Sequence, residues 1–298
     1  MSTLNSYLIQ FSVAVFCVLP PSVLFGQQAT LPIEAVPDGW YVYPDSKLKN
    51  PDEATLRCFN YSRNEWQVSN DRGNIEIERR LEQASGVTSL PSLPPSLKLE
   101  QGMPGRTVTA GLRTAIRYQN GWLIAYDAGE WGGGLWLTNE DGSKTKRIID
   151  SNVRAVMPFD DGILVLSGLA HMGTDFGNAF IFSNPNGLEM PLQRTMWLDG
   201  EPSAPAIASD GAVFFVTTYG LCKITRTGEL QRLISFPKWT RQQYPNSMAI
   251  SPDGTIFIGM RMFVLRLRAT PAGYSEDWLL PNDCRKFELR GLDCVCKP

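Results

Sequence analysis

The chain of 298 residues contains a single histidine, His171. One imidazole cannot build a metal site with several histidine ligands, and any nucleophilic mechanism that needs a histidine base must use this residue. Ser167 and Asp175 are close to it in sequence, but the members of a catalytic triad usually come from separate segments, and the sequence has no G-x-S-x-G motif. A structural, hydrogen-bonded role for His171 is therefore favoured over a catalytic one.

The sequence also has no surplus of basic residues, because its formal net charge is −2. Binding to nucleic acid depends on neutralising phosphates, and attachment to an anionic membrane depends on a polybasic patch. Neither feature is present, so nucleic acid is not an expected partner. A hydrophobic content of 43% and a charged content of 19% are typical of a globular protein rather than a disordered one.

No charged residue precedes Glu34, and the N-terminus holds an apolar run from Phe11 to Val18 followed by two prolines and a small residue, Gly26. This pattern predicts a signal peptide over residues 1–26, and hence a secreted or periplasmic protein with no membrane span after its removal. The run has no Lys or Arg ahead of it, so an uncleaved N-terminal anchor is the alternative. The prolines favour the signal peptide, because they interrupt a segment barely long enough to span a membrane.

Removing the signal peptide leaves five of the six cysteines, an odd number for a compartment that favours disulfides. Three of them fall in the tail of residues 284–298. A bridge from Cys284 to either Cys294 or Cys296 would close a short loop there, and the pairing stays open. Zinc binding is the alternative, but four ligands at zinc-ribbon spacing are absent. We therefore predict a disulfide in the tail.

From about residue 107 onward, no apolar pattern of helical period is sustained, and short runs rich in Val, Ile, Phe and Leu alternate with turn signals. Four similar turns, "QNGW", "DDGI", "SDGA" and "PDGT", lie between such runs. Their glycines are 41, 49 and 43 residues apart, at Gly121, Gly162, Gly211 and Gly254. We therefore predict an all-β structure built from repeats.

A second series of turns follows the first after 21, 25, 17 and 19 residues, at Gly142, Gly187, Gly228 and Gly273. Asp-Gly and Asn-Gly supply the positive φ angles of tight hairpins, so two such turns per repeat predict four antiparallel strands. Four strands at this period are typical of a β-propeller blade, and blades must stack because one alone cannot bury both its faces. Four blades are legible over residues 107–283, and five or six are predicted in total.

Residues 27–106 are rich in proline and show one convincing hairpin, around Gly73. They are predicted to form either an irregular fifth blade or a cap that packs across the ring. In both cases they precede the regular repeats as a separate segment.

Antiparallel blades place both series of glycine turns at one end of the propeller. The loops from second to third strands, and from one blade to the next, then lie at the opposite end, which we call the mouth and expect to hold any ligand site. The loops assigned to the mouth are residues 127–136, 167–179, 217–220, 259–262 and the segment leading to Ser247.

Several types of side chain in these loops could bind a ligand. Asp127, Glu130 and Asp175 could offer oxygen ligands to a metal, and Arg261 could either meet an anionic ligand or form a salt bridge at the rim. Aromatic side chains could stack on sugars or fill the spaces between blades. The predicted ligand-binding residues are Asp127, Glu130, Trp131, His171, Asp175, Tyr219, Tyr244, Asn246 and Arg261.

The stretch "YPNSMAISPDGTIFIGM", Tyr244 to Met260, resembles the blade motif of NHL-type propellers and of the senescence-marker/gluconolactonase family. The resemblance is weaker over residues 204–233. It implies a propeller fold, and it makes Asn246 a divalent-metal ligand beside carboxylates from other blades. Calcium is the expected ion, because oxygen ligands dominate. Alternatively, Asn246 caps the start of a strand by bonding nearby backbone.

Three functions follow from these patterns. The first is a propeller that binds a small molecule, glycan or protein at its mouth without chemistry, since the scaffold is well specified and catalytic side chains are few. The second is a metal-dependent hydrolase or lactonase of the calcium type, in which the metal would lower the pKa of a bound water. The third is a structural platform for other proteins.

Overall fold

The computed structural model describes residues 36–43, 62–80, 112–118, 121–235 and 243–283. These residues form nineteen β-strands and one short 3-10 helix. Over these ranges no helix has the length and hydropathy needed to cross a membrane. The predicted signal peptide and the predicted tail disulfide of Cys284, Cys294 and Cys296 lie outside the described residues.

Sixteen of the strands form four antiparallel sheets, each of four consecutive strands, as the turn spacing predicts. We call these sheets blades I to IV. Blade I contains β4 (Leu112–Tyr118), β5 (Gly121–Asp127), β6 (Gly133–Asn139) and β7 (Thr145–Ile149). Blade II contains β8 (Val153–Phe159), β9 (Gly162–His171), β10 (Thr174–Ser183) and β11 (Leu192–Leu198).

The same order continues in the second half of the chain. Blade III contains β12 (Ser203–Ile207), β13 (Val213–Thr217), β14 (Gly220–Ile224) and β15 (Leu230–Ser235). Blade IV contains β16 (Ser247–Ile250), β17 (Ile256–Gly259), β18 (Val264–Thr270) and β19 (Gly273–Pro281). A short N-terminal strand, β1 (Trp40–Val42), pairs antiparallel with β19 and gives blade IV a fifth strand.

The hairpin predicted around Gly73 is present as β2 (Trp66–Asp71) and β3 (Asn74–Arg79). It packs beside blade IV, where the backbone N–H of Trp66 donates to the carbonyl of Met260 at 2.9 Å. The N–H of Val68 donates to the hydroxyl of Ser247, also at 2.9 Å. The backbone comes so close here that a Cβ on Gly259 would lie 2.4 Å from the Trp66 carbonyl oxygen. The hairpin therefore forms a two-stranded wedge attached to blade IV.

The first strands of blades II, III and IV contact the neighbouring blades, and β8 meets blade I at its second and third strands, β5 and β6. Strand β8 packs on blade I and on β12, β12 packs on β16, and β16 packs on β2. In a β-propeller, the first strand of each blade contacts the next blade. The contacts observed here follow this arrangement, so the predicted fold class is confirmed.

The hydrophobic cores lie between blades, which explains why the middle strands are continuous apolar runs. In β13, Val213 and Phe215 belong to the core shared with blade II. The alternate residues Phe214 and Val216 belong to the core shared with blade IV and the hairpin. Since side chains alternate along a strand, a strand buried on both faces must be apolar at every position.

The first turn series differs from the prediction at two of its four glycines, because Gly121 and Gly162 each begin a strand. Gly211 and Gly254 have positive φ angles, of 81° and 85°, as tight turns require. Gly162 instead begins strand β9, and Asp160 carries the left-handed conformation in that turn, with φ of 50°. A Cβ on Gly162 would lie 2.1 Å from the carbonyl oxygen of Phe182, so this glycine is needed for the close approach of two strands.

Candidate functional site

A cavity of about 480 Å³ opens at the mouth. It lies where the loops from second to third strands meet the segments that lead from one blade to the next, as the topology predicts. The hairpin segment and blades II, III and IV all contribute to it. Its polar and aromatic lining includes Glu65, Arg80, Arg154, His171, Glu201, Tyr244 and Asn246.

Arg154, near the start of β8, joins two acidic residues from different blades. Its Nε lies 2.9 Å from Oε1 of Glu201, in the segment before β12. Its Nη1 forms an ion pair with Oδ2 of Asp127, at the end of β5. Asp127 is only 6% exposed, and its other carboxylate oxygen accepts a hydrogen bond from the N–H of Gly129 at 3.0 Å. Asp127 is therefore held by an arginine and by its own loop.

Glu201 lies at the centre of a group of carboxylates. Burial raises its pKa, and the nearby charges of Asp127 and Asp175 raise it further, whereas Arg154 and a hydrogen bond from the backbone of Ala170 oppose the shift. Asp175 accepts a hydrogen bond from the N–H of Glu201 at 3.0 Å through Oδ1. Its Oδ2 is buried and has no partner. Two carboxylates, of Asp127 and Glu201, thus pair with the guanidinium of Arg154, the carboxylate of Asp175 lies beside Glu201, and Glu201 reaches the cavity.

The hairpin side of the mouth has the opposite balance of charge. Oε1 of Glu65 lies 2.9 Å from Nε of Arg261, and Oε2 of Glu65 lies 3.1 Å from Nη1 of Arg80. The guanidinium of Arg261 also stacks on Tyr244, with its Cζ 3.6 Å from the ring centroid. Arg261 therefore forms the salt bridge at the rim that the sequence left as one of two interpretations.

His171 pairs with Glu130, and its predicted structural role stays a prediction. Its Nε2 lies 2.9 Å from Oε2 of Glu130, and both side chains are about two-fifths exposed. This contact joins the 3-10 helix Gly129–Trp131 of blade I to the turn between β9 and β10. Ser167 is four residues earlier on β9, about 13 Å away at a rise of roughly 3.3 Å per residue, so the two residues do not form a catalytic pair.

Trp131 and Tyr219 lie in the loops predicted for the mouth but are absent from the lining of the cavity. Trp131 is 46% exposed and Tyr219 is 38% exposed. Both therefore lie outside the lining of the cavity and are partly exposed.

Asn246 is held by protein partners on both ends of its amide. Its Nδ2 donates to the carbonyl of Trp66 at 3.1 Å, and its Oδ1 accepts from the hydroxyl of Ser247 at 2.8 Å. Its backbone N–H donates to the carbonyl of Gly259. These bonds attach the hairpin to the start of blade IV, which is the alternative, backbone-bonding role considered from the sequence.

The residues present do not fit a calcium site. In the ranges that the structure describes, no three His, Cys, Asp or Glu side chains are grouped so that they could hold a metal ion. The oxygen of Asn246 is already used by Ser247. We therefore derive no metal-dependent step from this geometry.

Four charged residues of the cavity were not identified from the sequence: Glu65, Arg80, Arg154 and Glu201. The topological argument itself places the segments between blades at the mouth, so Arg154 and Glu201 could have been found by examining residues 150–154 and 199–203. Glu65 and Arg80 carry no such signal, because the position of the hairpin is set by contacts with residues about 180 positions away.

Backbone strain is concentrated at the same cavity. Met172, Ala204 and Tyr244 line it, and each has a positive φ angle, of 45°, 48° and 50°. Such angles cost free energy for residues other than glycine and cluster at ligand sites. The strain supports the mouth as the functional end of the propeller.

No family model matches the chain, and a search of curated proteins finds no match. Solved structures similar to it include the calcium-binding protein regucalcin from Agrobacterium tumefaciens, at 16% identity and a TM-score of 0.37 over 56% of this chain and 60% of that one. Virginiamycin B lyase from Staphylococcus aureus matches at 14% identity and a TM-score of 0.38, over 72% and 69%. A gluconolactonase from Xanthomonas campestris matches at 12% identity and a TM-score of 0.33, over 72% and 67%.

Less than two thirds of the regucalcin chain is thus matched. The similar structures include members of the gluconolactonase family, which the stretch Tyr244–Met260 resembles. At these sequence identities the similarity concerns the fold alone. The chain is an all-β propeller with four-stranded antiparallel blades, distantly similar to propellers of the gluconolactonase and regucalcin type.

Proposed function

We propose that the protein is a secreted or periplasmic propeller that binds a small polar ligand in the mouth cavity. The observation that carries this proposal is the convergence of Glu65, Arg80, Arg154 and Glu201, from three separate parts of the chain, on one cavity of about 480 Å³. This volume falls in the usual range for small-molecule sites, roughly 300–1,000 Å³. A few fixed polar groups in such a cavity give a ligand orientation and specificity.

The arrangement of these charges supports binding rather than catalysis. Arg154 is fixed by Asp127 and Glu201, and Arg80 by Glu65, so the groups are oriented before a ligand arrives. Oriented groups lose little conformational entropy on binding. His171, the one histidine of the chain, is paired with Glu130.

The proposal is tested by screening the purified protein for thermal stabilisation by sugars, sugar acids, amino acids and short peptides. Any compound that stabilises the protein is then titrated by calorimetry into wild type, Arg154→Gln and the control Arg117→Gln. Arg117 is exposed and pairs with Glu140 near the glycine-turn end. Binding at the mouth should weaken about tenfold or more in Arg154→Gln, since hydrogen bonds to charged groups contribute about 1.5–3 kcal/mol. Equal affinities in all three proteins would contradict the proposal.

The second candidate is the calcium-dependent hydrolase or lactonase implied by the resemblance over Tyr244–Met260. One observation favours it: Glu201, whose pKa is raised by burial, lies in the cavity, as expected of an acid or base. The described residues do not form a calcium site, so calcium binding stays a prediction. Titration of the chelator-treated protein with Ca²⁺ or Mg²⁺, followed by a thermal melt, tests it. No stabilisation by either ion would remove this candidate.

A further inference from the structure

The mouth cavity has two charged walls, from different parts of the chain. On the hairpin side, which we call the basic wall, two guanidiniums, of Arg80 and Arg261, share the single carboxylate of Glu65. Glu65 and Arg80 line the cavity directly, and Arg261 lies behind them, stacked on Tyr244. Among the described residues, the basic wall thus brings two guanidiniums to one carboxylate.

The wall formed by blades I, II and III, which we call the acidic wall, has the reverse balance. The guanidinium of Arg154 lies on this wall and is paired with Asp127 and Glu201. Asp175 stands next to them, bonded to the N–H of Glu201, and its buried Oδ2 has no partner. Among the described residues, the group around Arg154 thus contains three carboxylates and one guanidinium, and Arg154 and Glu201 face the cavity.

We propose that the mouth binds a small zwitterion, either a free amino acid or a peptide of two or three residues, with its ammonium group at the acidic wall and its carboxylate at the basic wall. This inference rests on the proposed function and names the class of ligand that the same cavity takes.

The two walls argue against ligands of other charge. A neutral sugar would offer no opposite charge to the guanidinium of Arg80 or to the carboxylate of Glu201, and a singly charged ligand would match one of these two groups and not the other. The planar fork of Arg80 suits the two oxygens of a carboxylate. Glu201 suits an ammonium, which can donate three hydrogen bonds.

The protonation of Glu201 supports the same orientation. Burial and the neighbouring carboxylates raise its pKa, so at pH values close to that raised pKa part of the population carries a proton on this group. An ammonium group placed beside it favours the ionised carboxylate, because an opposite charge lowers the pKa of an acid. Binding should therefore release a fraction of a proton, and this release should vanish in Glu201→Gln.

The test uses probes that differ only in the charge of their ends. A screen of free amino acids and of mixed di- and tripeptides identifies a bound zwitterion, whose N-acetyl and C-terminal amide derivatives are then made. Calorimetric titration of wild type should show that each blocked end weakens binding about tenfold or more, as expected for the loss of one charged hydrogen-bonded pair. The derivative blocked at both ends should bind most weakly.

Two variants assign the ends of the ligand to the walls. Glu201→Gln should lose affinity for the zwitterion and become insensitive to N-acetylation, whereas Arg80→Gln should become insensitive to amidation. Glu140→Gln and Arg117→Gln, which alter an exposed pair outside the mouth, should behave as wild type. Circular dichroism spectra and melting temperatures of all four variants establish that the fold is kept. Titrations in two buffers of different ionisation enthalpy measure proton release.

The inference and the proposed function fail in different ways. If a neutral sugar or a singly charged acid binds at the mouth, with affinity reduced in Arg154→Gln, and no zwitterion binds at millimolar concentration, the inference is overturned and the proposed function stands. Affinity for a zwitterion that is unchanged by both blocked ends also overturns the inference. If no compound of any class binds, both are overturned.

Discussion

The sequence leaves two roles open for Asn246: it is either a metal ligand or a residue that bonds nearby backbone at the start of a strand. In the structure its side chain joins the hairpin β2–β3 to blade IV, through the carbonyl of Trp66 and the hydroxyl of Ser247. That hydroxyl in turn accepts from the N–H of Val68. We predict that Asn246→Ala destabilises the protein whether or not a divalent ion is present.

The expected magnitude follows from the two side-chain hydrogen bonds that the substitution removes. Each contributes about 0.5–1.5 kcal/mol, so the free energy of unfolding should fall by about 1–3 kcal/mol. For a domain of this size the melting temperature falls by about 2–4 °C per kcal/mol, which gives a decrease of about 2–12 °C. Asn246→Asp places a carboxylate oxygen against the carbonyl oxygen of Trp66 in place of the donor, so it should lose at least as much stability as Asn246→Ala.

Urea denaturation in the presence of EDTA and of calcium chloride measures these changes. Asn74→Ala is the matched control, because Asn74 is an exposed asparagine of the same hairpin, and it should change stability by less than about 0.5 kcal/mol. A metal ligand would behave differently: Asn246→Ala would then match wild type in EDTA and lose only the stabilisation by calcium. That result would refute the structural role.

Three further predictions concern single groups. Because burial raises the pKa of Glu201, the folded state keeps this proton over a pH range in which the unfolded chain has lost it, and stability falls as the pH rises through that range. The stability of Glu201→Gln relative to wild type should therefore improve from about pH 4 to about pH 7 in urea denaturation, and a constant difference would contradict this. Burial raises the pKa of Cys222 to about 11, so iodoacetamide should label the peptide containing it only after denaturation; equal labelling of native and unfolded protein would exclude this environment. Phe263 is fully buried and stacks on Trp278 at 4.0 Å, so Phe263→Ala should cost about 3–5 kcal/mol and alter the near-UV circular dichroism, and a loss below about 1 kcal/mol would show that the site is loosely packed.

The fold could be predicted from the sequence because its signals are local. Turn glycines such as Gly211 and Gly254 recur at blade spacing, and strands such as "VFFVT" are buried at every position and almost entirely apolar because both of their faces are covered. The role of Gly162 was misassigned, since a glycine that admits a neighbouring strand and a glycine that forms a turn look alike in a single sequence.

The candidate site could be predicted only in part. The topology located the mouth, and His171, Tyr244 and Asn246 do line its cavity. Glu65 and Arg261 meet across 196 positions of sequence, and no local pattern encodes such a pair. Which side chains reach the cavity depends on how whole blades pack against one another. A single sequence does not show this packing.

Strand β1 has a consequence for how the protein is made. Trp40 pairs with Pro281, so the fifth strand of the last blade is supplied by residues that leave the ribosome 241 positions earlier. Residues 40–42 cannot pair with β19 until nearly all of the chain has been translated. Contacts between residues so far apart in sequence slow folding to the native topology. Blade IV is thus the last part of the ring to mature, and it holds both ends of the described polypeptide together.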